Sequence, residues 1–171
     1  KAMRSGRPGH ALIEMCWDDM ASKAEVAPFA PLPLDTPPPV DADAIAKAAD
    51  LARNAKRPLI MVGSGARHAQ AEVIALAEKL NAPVTAFRGG RGIMPADHPL
   101  AMSSYDAWQL WEETDCVIGI GSRLEMIYMR WSGMNSRIVE PEGPPHVIRI
   151  DIDPEEMKRL VPHVPVLADS Q

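Results

Sequence analysis

The chain has 171 residues, of which 46% are hydrophobic, and this is enough to bury one core of ordinary domain size. Its net charge of -5 gives no basic surface for nucleic acid, and no apolar run approaches the roughly 20 residues that span a bilayer. Residues 1–9 do not resemble a signal peptide, and the two cysteines lie far apart. We therefore expect a cytoplasmic protein that binds neither nucleic acid nor membrane.

The first 40 residues do not predict a domain of their own. Residues 10–15 form a short strand-like run, and residues 27–40 are so rich in proline that they predict an extended, semi-rigid linker. A strand that precedes a linker indicates the end of another domain. We therefore divide the chain into a C-terminal remnant of a preceding domain (1–26), a linker (27–40) and a main domain (41–171).

Helix and strand patterns alternate from residue 41 onward. Asp41 or Asp43 is suited to cap a helix that runs to Lys56, and helical apolar spacing returns from residue 68 to 80. Between them, residues 59–62 form an unbroken apolar run, which is typical of a strand buried on both faces of a parallel sheet.

The same alternation continues to the end of the chain. Further strands are predicted at 83–87, 116–120, 146–153 and 165–168, and further helices at 104–113 and from Pro154 onward. The pattern predicts an α/β fold, a Rossmann-like doubly wound and mainly parallel sheet with helices on both faces.

Glycine and charged residues follow several of the predicted strands, where the carboxyl ends of a doubly wound sheet form a ligand crevice. On one interpretation the glycines at 63, 65, 89, 90 and 121 leave room for a pyrophosphate. Arg88 or Arg123 then neutralises its charge, and Asp151 or Asp153 forms a hydrogen bond with a sugar hydroxyl. On the other, the glycines only end strands, Asp153 caps a helix and the arginines pair with surface acids. The glycine fingerprint is incomplete, because His68 stands where a third glycine is expected, and both interpretations stay open.

Catalytic constellations are missing from the sequence. The five histidines show no metal-ligand spacing, neither cysteine has a CxxC partner, and Ser64 lacks the spacing of a nucleophile elbow. Cys116 begins a strand and is interpreted as a small core residue. Methionines and a tryptophan at 126–134 favour buried packing or a subunit contact. We predict no catalytic and no metal-ligating residue in this chain.

Six segments carry motifs that occur together, and in this order, in one group of enzymes. They are residues 6–15 (GRPGHALIEM), 58–65 (PLIMVGSG), 92–100 (GIMPADHPL), 115–123 (DCVIGIGSR), 150–156 (IDIDPEE) and 164–169 (VPVLAD). The first resembles the end of the pyrimidine-binding domain, and the others the central domain, of thiamine-diphosphate-dependent enzymes of the acetolactate synthase and 2-oxoacid decarboxylase group. The resemblance covers nearly the whole chain.

This resemblance implies the central domain of a thiamine-diphosphate-dependent enzyme acting on 2-oxoacids, an acetolactate synthase-like carboligase or a decarboxylase. In the family, the activating glutamate lies in the preceding domain, and the motif that binds Mg²⁺ and the cofactor diphosphate lies in the following one. This chain alone is therefore not expected to be catalytic. The implied partners are the flanking pyrimidine- and diphosphate-binding domains, in a homo-oligomer.

Some members of the family hold FAD, ADP or a coenzyme A moiety in this domain. The resemblance implies that the matching cofactor-binding positions here are Gly63, Ser64, Gly65, Arg88, Gly121, Arg123, Asp151 and Ile152. The chain departs from the FAD-binding pattern at 100–105, and it has Ala168 where the family has a closing glycine, so FAD and ADP are disfavoured. The alternative function is a stand-alone module that binds FAD, ADP or NAD. An NAD enzyme of the sirtuin or deoxyhypusine synthase type would need a catalytic lysine or histidine in the crevice, and the sequence places none there.

Overall fold

The computed structural model describes residues 3–125, 145–159 and 161–170 of the chain. Its contacts divide the chain into two units, Lys1–Pro37 and Pro38–Gln171. The methionine and tryptophan cluster predicted at 126–134 lies outside the described residues. No helix in the described ranges is both long enough and apolar enough to cross a membrane.

The first unit has little regular structure. Its described residues contain one short helix, α1 (Trp17–Ala21), and none of their side chains is buried. The strand-like run at residues 10–15 forms no strand here, and Leu12 and Ile13 in it are 78% and 87% exposed. A strand is stable only when its backbone pairs with a neighbouring strand, and the described residues of this unit supply no such partner.

The second unit is built on a six-stranded sheet in the order β3-β2-β1-β4-β5-β6, with every pair parallel. Because β1 lies between β2 and β4, successive strands are added first on one side of β1 and then on the other, which is the doubly wound arrangement predicted from the sequence. The two-residue strand β3 was not predicted. The strands are β1 (Pro58–Val62), β2 (Val84–Ala86), β3 (Ala101–Met102), β4 (Cys116–Ile120), β5 (His146–Asp151) and β6 (Val164–Leu167).

Helices lie before and between these strands at the predicted places, with different ends. They are α2 (Ala42–Asn54), α3 (Gln70–Leu80), α4 (Ser104–Gln109) and α5 (Pro154–Arg159). The single helix predicted at 104–113 is divided into α4 and a 3₁₀ turn at Trp111–Glu113. The Thr114 hydroxyl donates a hydrogen bond to the Leu110 carbonyl at 3.0 Å, which satisfies that carbonyl where the α-helical pattern ends.

Apolar side chains alternate between the two faces of the sheet, so each face has its own core. On one face Ile60, Val62 and Ile118 pack against α2 and α3, which contribute small residues such as Ala52 and Ala77. On the other face Leu59, Met61, Val117 and Val147 pack against Ala107 of α4 and against Leu124. Each fully buried aliphatic side chain contributes about 1.5–3 kcal/mol. The prediction of helices on both faces is confirmed.

Asp41 caps the N-terminus of α2. Its carboxylate accepts hydrogen bonds from the backbone N–H groups of Asp43 at 2.9 Å and Ala44 at 3.2 Å. We expect Asp41→Ala to lower the free energy of unfolding by about 1 kcal/mol, because two helix N–H groups lose their acceptor. Asp41→Asn keeps an acceptor and should change stability little. Urea denaturation measures both, and an equal loss in the two variants would assign the effect to charge rather than capping.

The same substitution at two buried threonines should change the free energy of unfolding in opposite directions. Thr85 is 1% exposed, and its hydroxyl has no hydrogen-bond partner among the described residues, whereas the hydroxyl of the buried Thr114 is bonded to Leu110. We expect Thr85→Val to raise the free energy of unfolding by about 1 kcal/mol, because it removes an unsatisfied buried group. Thr114→Val should lower it by about 1 kcal/mol. If thermal denaturation shows both variants shifted in the same direction, hydrogen-bond satisfaction does not decide the outcome at these sites.

Candidate functional site

The predicted ligand positions lie along one edge of the sheet, at the carboxyl ends of the strands. Gly63, Ser64 and Gly65 follow β1, and Arg88 follows β2. Gly121 and Arg123 follow β4, while Asp151 ends β5 and Ile152 comes directly after it. The direction of winding reverses between β1 and β4, which is the point where open α/β sheets usually hold a ligand. The sequence analysis therefore selected residues that the fold brings to the same edge.

At that point the loops after β1 and β4 are in backbone contact. A Cβ atom added at Gly63 would lie 2.2 Å from the Gly121 carbonyl oxygen, and one added at Gly65 would lie 2.7 Å from the Gly121 Cα. Gly121 itself has φ +53°, and a Cβ there would lie 2.4 Å from the Gly65 Cα. These distances are too short for any side chain. The three glycines thus allow two loops to touch each other.

The amide groups of these glycines are used within the chain. Gly63 N–H donates to the Ile120 carbonyl at 3.0 Å, Gly65 N–H to the Gly121 carbonyl at 3.1 Å, and Gly121 N–H to the Ile150 carbonyl at 2.8 Å. A phosphate site at such a turn depends on N–H groups that point outward. These three do not. Helix α3 begins at Gln70, beyond a 3₁₀ turn at Ser64–Ala66, so its N-terminus does not directly follow the glycines.

The loop after β2 packs on the loop after β1. A Cβ at Gly90 would lie 2.4 Å from the Val62 carbonyl oxygen, and one at Gly89 would lie 2.9 Å from the Cβ of Ser64. Arg88 has φ +47°, which is uncommon for a residue with a side chain, and its guanidinium lies 4.9 Å from the centre of the Phe87 ring. The exposed Arg88 therefore has a left-handed backbone conformation where the loop after β2 packs on the loop after β1.

A buried charge network lies beside the loop after β4. Arg149 of β5 is fully buried, and its guanidinium contacts the Glu156 carboxylate at 3.0 Å and the Ser122 carbonyl at 3.2 Å. It also donates to the backbone carbonyl of Glu156. The other carboxylate oxygen of Glu156 pairs with Arg123 at 3.1 Å, and Arg123 also lies 3.6 Å from Glu125. Glu156 thus bridges two arginines and ties α5 to the loop.

Arg149 and Glu156 were not predicted as functional residues from the sequence. A signal for Arg149 was available, because it stands between apolar residues in a strand of the predicted parallel sheet, where strands are usually buried, and a buried arginine needs a carboxylate or carbonyl partner. Glu156 gave no comparable signal, since acids are common in the first turn of a helix.

Other polar groups at this edge also have partners in the chain. The Asp151 carboxylate accepts the Asp153 N–H at 3.0 Å, and the Asp153 carboxylate accepts the Glu155 N–H at 3.0 Å. The structure therefore supports the interpretation of Asp153 as a helix cap. The hydroxyl of Ser170 donates to the Gly65 carbonyl at 2.9 Å. The assignment of these edge residues to a nucleotide stays a prediction.

The remaining candidate residues lie away from this edge. Cys116 is buried at the start of β4, and burial together with the charge of Asp115 raises the pKa of its thiol to about 12, so it stays protonated. The prediction of a core role for Cys116 is confirmed. His146 and His163 stack edge to face with ring centres 4.7 Å apart, and the Val147 N–H donates to the His163 Nδ1 at 2.9 Å.

Among the described residues, one group of three potential metal ligands has its ligand atoms within 4.8 Å of one another, and it consists of the exposed Cys16, Asp18 and Asp19 of the first unit. Exposed acidic groups of this kind are common without a metal, and the arrangement does not identify a metal centre. A cavity of about 190 Å³ lies at the amino ends of β1 and β2, bordered by Lys56, Asn81 and Thr114, on the opposite edge from the predicted ligand positions.

Comparison with known proteins agrees with this fold. Residues 45–171 match the family profile of the thiamine pyrophosphate enzyme central domain. The chain is 32% identical to mouse 2-hydroxyacyl-CoA lyase 1 over 99% of its own length and 30% of that protein. It is 30% identical to glyoxylate carboligase of Escherichia coli O157:H7, with coverage of 99% and 29%, and 29% identical to the acetolactate synthase isozyme 1 large subunit of E. coli K12, with coverage of 97% and 30%.

A solved structure shows the same likeness. The crystal structure of benzoylformate decarboxylase from Polynucleobacter necessarius superposes with a TM-score of 0.61 and 25% identity, over 89% of this chain and 29% of that one. The chain thus spans about 30% of the length of these relatives. The profile match covers most of the chain, and the chain belongs to the family of thiamine pyrophosphate enzyme central domains.

Proposed function

We propose that this chain is the central domain of a larger thiamine-diphosphate-dependent enzyme that acts on 2-oxoacids, as a carboligase or a decarboxylase. The observation that carries the proposal is the family match over residues 45–171, supported by relatives that include an acetolactate synthase subunit, a glyoxylate carboligase and a benzoylformate decarboxylase.

Within such an enzyme the domain acts as a scaffold. The described edge residues bond mainly to one another: Glu156 holds both Arg123 and Arg149, and the glycine loops bond to their neighbours. A catalytic acid or base needs a proton-transfer position that faces a substrate, and groups engaged in this way do not offer one. The reaction then takes place on the flanking domains, and the sheet of this domain holds those domains in position.

The first unit fits the end of a preceding pyrimidine-binding domain (residues 1–26), followed by a linker (27–40). Its large apolar side chains are exposed in isolation, with Ile13 87%, Trp17 84% and Phe29 86% accessible. Large exposed apolar side chains at several places in one segment support a contact with another domain or chain. We assign this contact to the preceding domain, against which residues 10–15 would gain the strand partner that they lack here.

The described residues of this chain do not fit a site for thiamine diphosphate with Mg²⁺. Mg²⁺ takes hard oxygen ligands, usually one or two carboxylates together with phosphate oxygens of the bound molecule, whereas the one ligand group that the described residues bring together includes the thiol of the exposed Cys16 beside Asp18 and Asp19. We therefore place both the cofactor and its metal on the flanking domains. A homo-oligomer in the cytoplasm is part of the same proposal.

Consumption of 2-oxoacids by the larger protein tests the proposal. Glyoxylate and benzoylformate, which are named in two of the relatives, belong in the substrate panel together with pyruvate. We expect at least one of them to be consumed only when thiamine diphosphate and Mg²⁺ are both present. Cleavage of 2-hydroxyacyl-CoA with no 2-oxoacid consumed would contradict the substrate class. Turnover by the 171-residue chain alone would contradict the scaffold role.

A further inference from the structure

We infer that the crevice at the carboxyl edge of this domain is closed by the chain itself and does not take a nucleotide diphosphate. Residues 168–170 act as a strap across the edge, and the loops after β1 and β4 fill the switch point between them. The edge then serves to anchor the segment that follows β6, rather than to bind FAD or ADP.

The strap is defined by one long-range hydrogen bond. Ser170 follows β6, whereas Gly65 follows β1, and β4 and β5 lie between these two strands in the sheet. With strands about 4.8 Å apart, β6 and β1 are separated by roughly 14 Å. The Ser170 hydroxyl nevertheless reaches the Gly65 carbonyl at 2.9 Å. The segment from Ala168 to Ser170 must therefore run over the carboxyl ends of β5 and β4, starting where the Ala168 N–H donates to the Asp151 carbonyl at 3.1 Å.

Backbone of the opposite loop occupies the space beside the three glycines. In a dinucleotide site, glycines leave room for the phosphate where a Cβ would otherwise stand. Here the positions that a Cβ would occupy at Gly63, Gly65 and Gly121 are already taken by the backbone of the opposite loop, at 2.2 to 2.7 Å. The glycines thus allow the two loops to pack against each other and do not leave room for a phosphate.

Several donors that a diphosphate could use here are also engaged. The amides of Gly63, Gly65 and Gly121 donate to backbone carbonyls of neighbouring loops and strands. Of the two cations expected to neutralise the phosphates, Arg123 lies between the carboxylates of Glu156 and Glu125, whereas the exposed Arg88 lies over the Phe87 ring. A diphosphate brought to Arg123 would meet two acidic side chains, and like charges at this distance repel.

Binding of ADP and FAD to the full protein tests this inference directly. We expect no saturable heat with either nucleotide in titration calorimetry, and no nucleotide released when the purified protein is denatured. Stoichiometric, saturable binding of either one would overturn the inference. Such binding would not contradict the proposed function, because the thiamine chemistry is assigned to other domains. Absence of thiamine-dependent turnover would contradict the proposed function but would not show that the crevice is open.

A second variant tests the strap itself. We expect Ser170→Ala to speed amide hydrogen exchange about fivefold in a peptide covering residues 63–67, as the loss of one hydrogen bond predicts, and to leave a peptide covering β4 unchanged. Ser104→Ala is the matched control, since its hydroxyl contacts the Ala86 carbonyl at 3.5 Å on a different loop, and it should leave residues 63–67 unchanged. Unaltered exchange at 63–67 in Ser170→Ala would show that the strap does not hold this edge.

Discussion

Replacing Glu156 by glutamine should lower the free energy of unfolding by about 3 kcal/mol, because it leaves the buried Arg149 without its counter-ion. Arg149 is completely buried, and the Glu156 carboxylate contacts its guanidinium at 3.0 Å. An isolated charge in a protein interior loses its hydration and gains nothing in return. Glutamine keeps the shape and one oxygen acceptor, so the loss reports mainly on the charge. Chemical denaturation followed by circular dichroism measures it.

The neighbouring residue provides the control. Glu155 pairs with Lys158 at 2.5 Å on the same helix, and both side chains are more than 70% exposed. Exposed pairs contribute little, so Glu155→Gln should cost about 0.5 kcal/mol or less. Replacing both partners of the buried pair, as Arg149→Met with Glu156→Leu, should cost less than Glu156→Gln alone, because no charge is left behind. Equal effects of Glu155→Gln and Glu156→Gln would contradict the role of the buried pair.

Gly121→Ala should destabilise the domain by about 3 kcal/mol or more, for two separate reasons. The residue has φ +53°, where a side chain costs roughly 1–2 kcal/mol. In addition, its new Cβ would lie 2.4 Å from the Gly65 Cα, and such overlap in a packed site typically costs a further 1–3 kcal/mol. The loops after β1 and β4 would have to separate. Thermal denaturation of the variant should show a strongly lowered midpoint.

Gly92→Ala separates these two causes. Gly92 also has a left-handed backbone, with φ +89°, but nothing lies within 4 Å of the position that its Cβ would take. It should therefore show the conformational cost alone, about 1–2 kcal/mol. If Gly121→Ala and Gly92→Ala were equally destabilising, the contact between the two loops would make no contribution to stability.

The fold could be predicted from the sequence because its central strands are unambiguous. The strands at Pro58–Val62 and Cys116–Ile120 are unbroken apolar runs, buried along their whole length, and helical spacing stands on either side of the first. The prediction did not find β3, since two residues show no periodicity. Residues 10–15 have strand-like composition but form no strand here, because such residues form a strand only where a partner is present.

The candidate residues lie together at the carboxyl edge of the sheet, and their assignment to a nucleotide stays a prediction. Glycines at strand ends indicate a close approach, and the sequence does not say whether a ligand or another loop makes that approach. Which loop lies opposite Gly63 depends on β4 being placed next to β1, a pairing between residues more than 50 positions apart. For the same reason the partner of Arg149 could not be named, although its burial in β5 could have been expected.

Titration of thiamine diphosphate in the presence of Mg²⁺ tests the central claim, that this chain is a scaffold domain of a thiamine-dependent enzyme. Calorimetry should show no saturable binding to the 171-residue chain, and one cofactor bound per chain in the larger protein that also carries the flanking domains. Saturable binding to the 171-residue chain, or none to the larger protein, would contradict it.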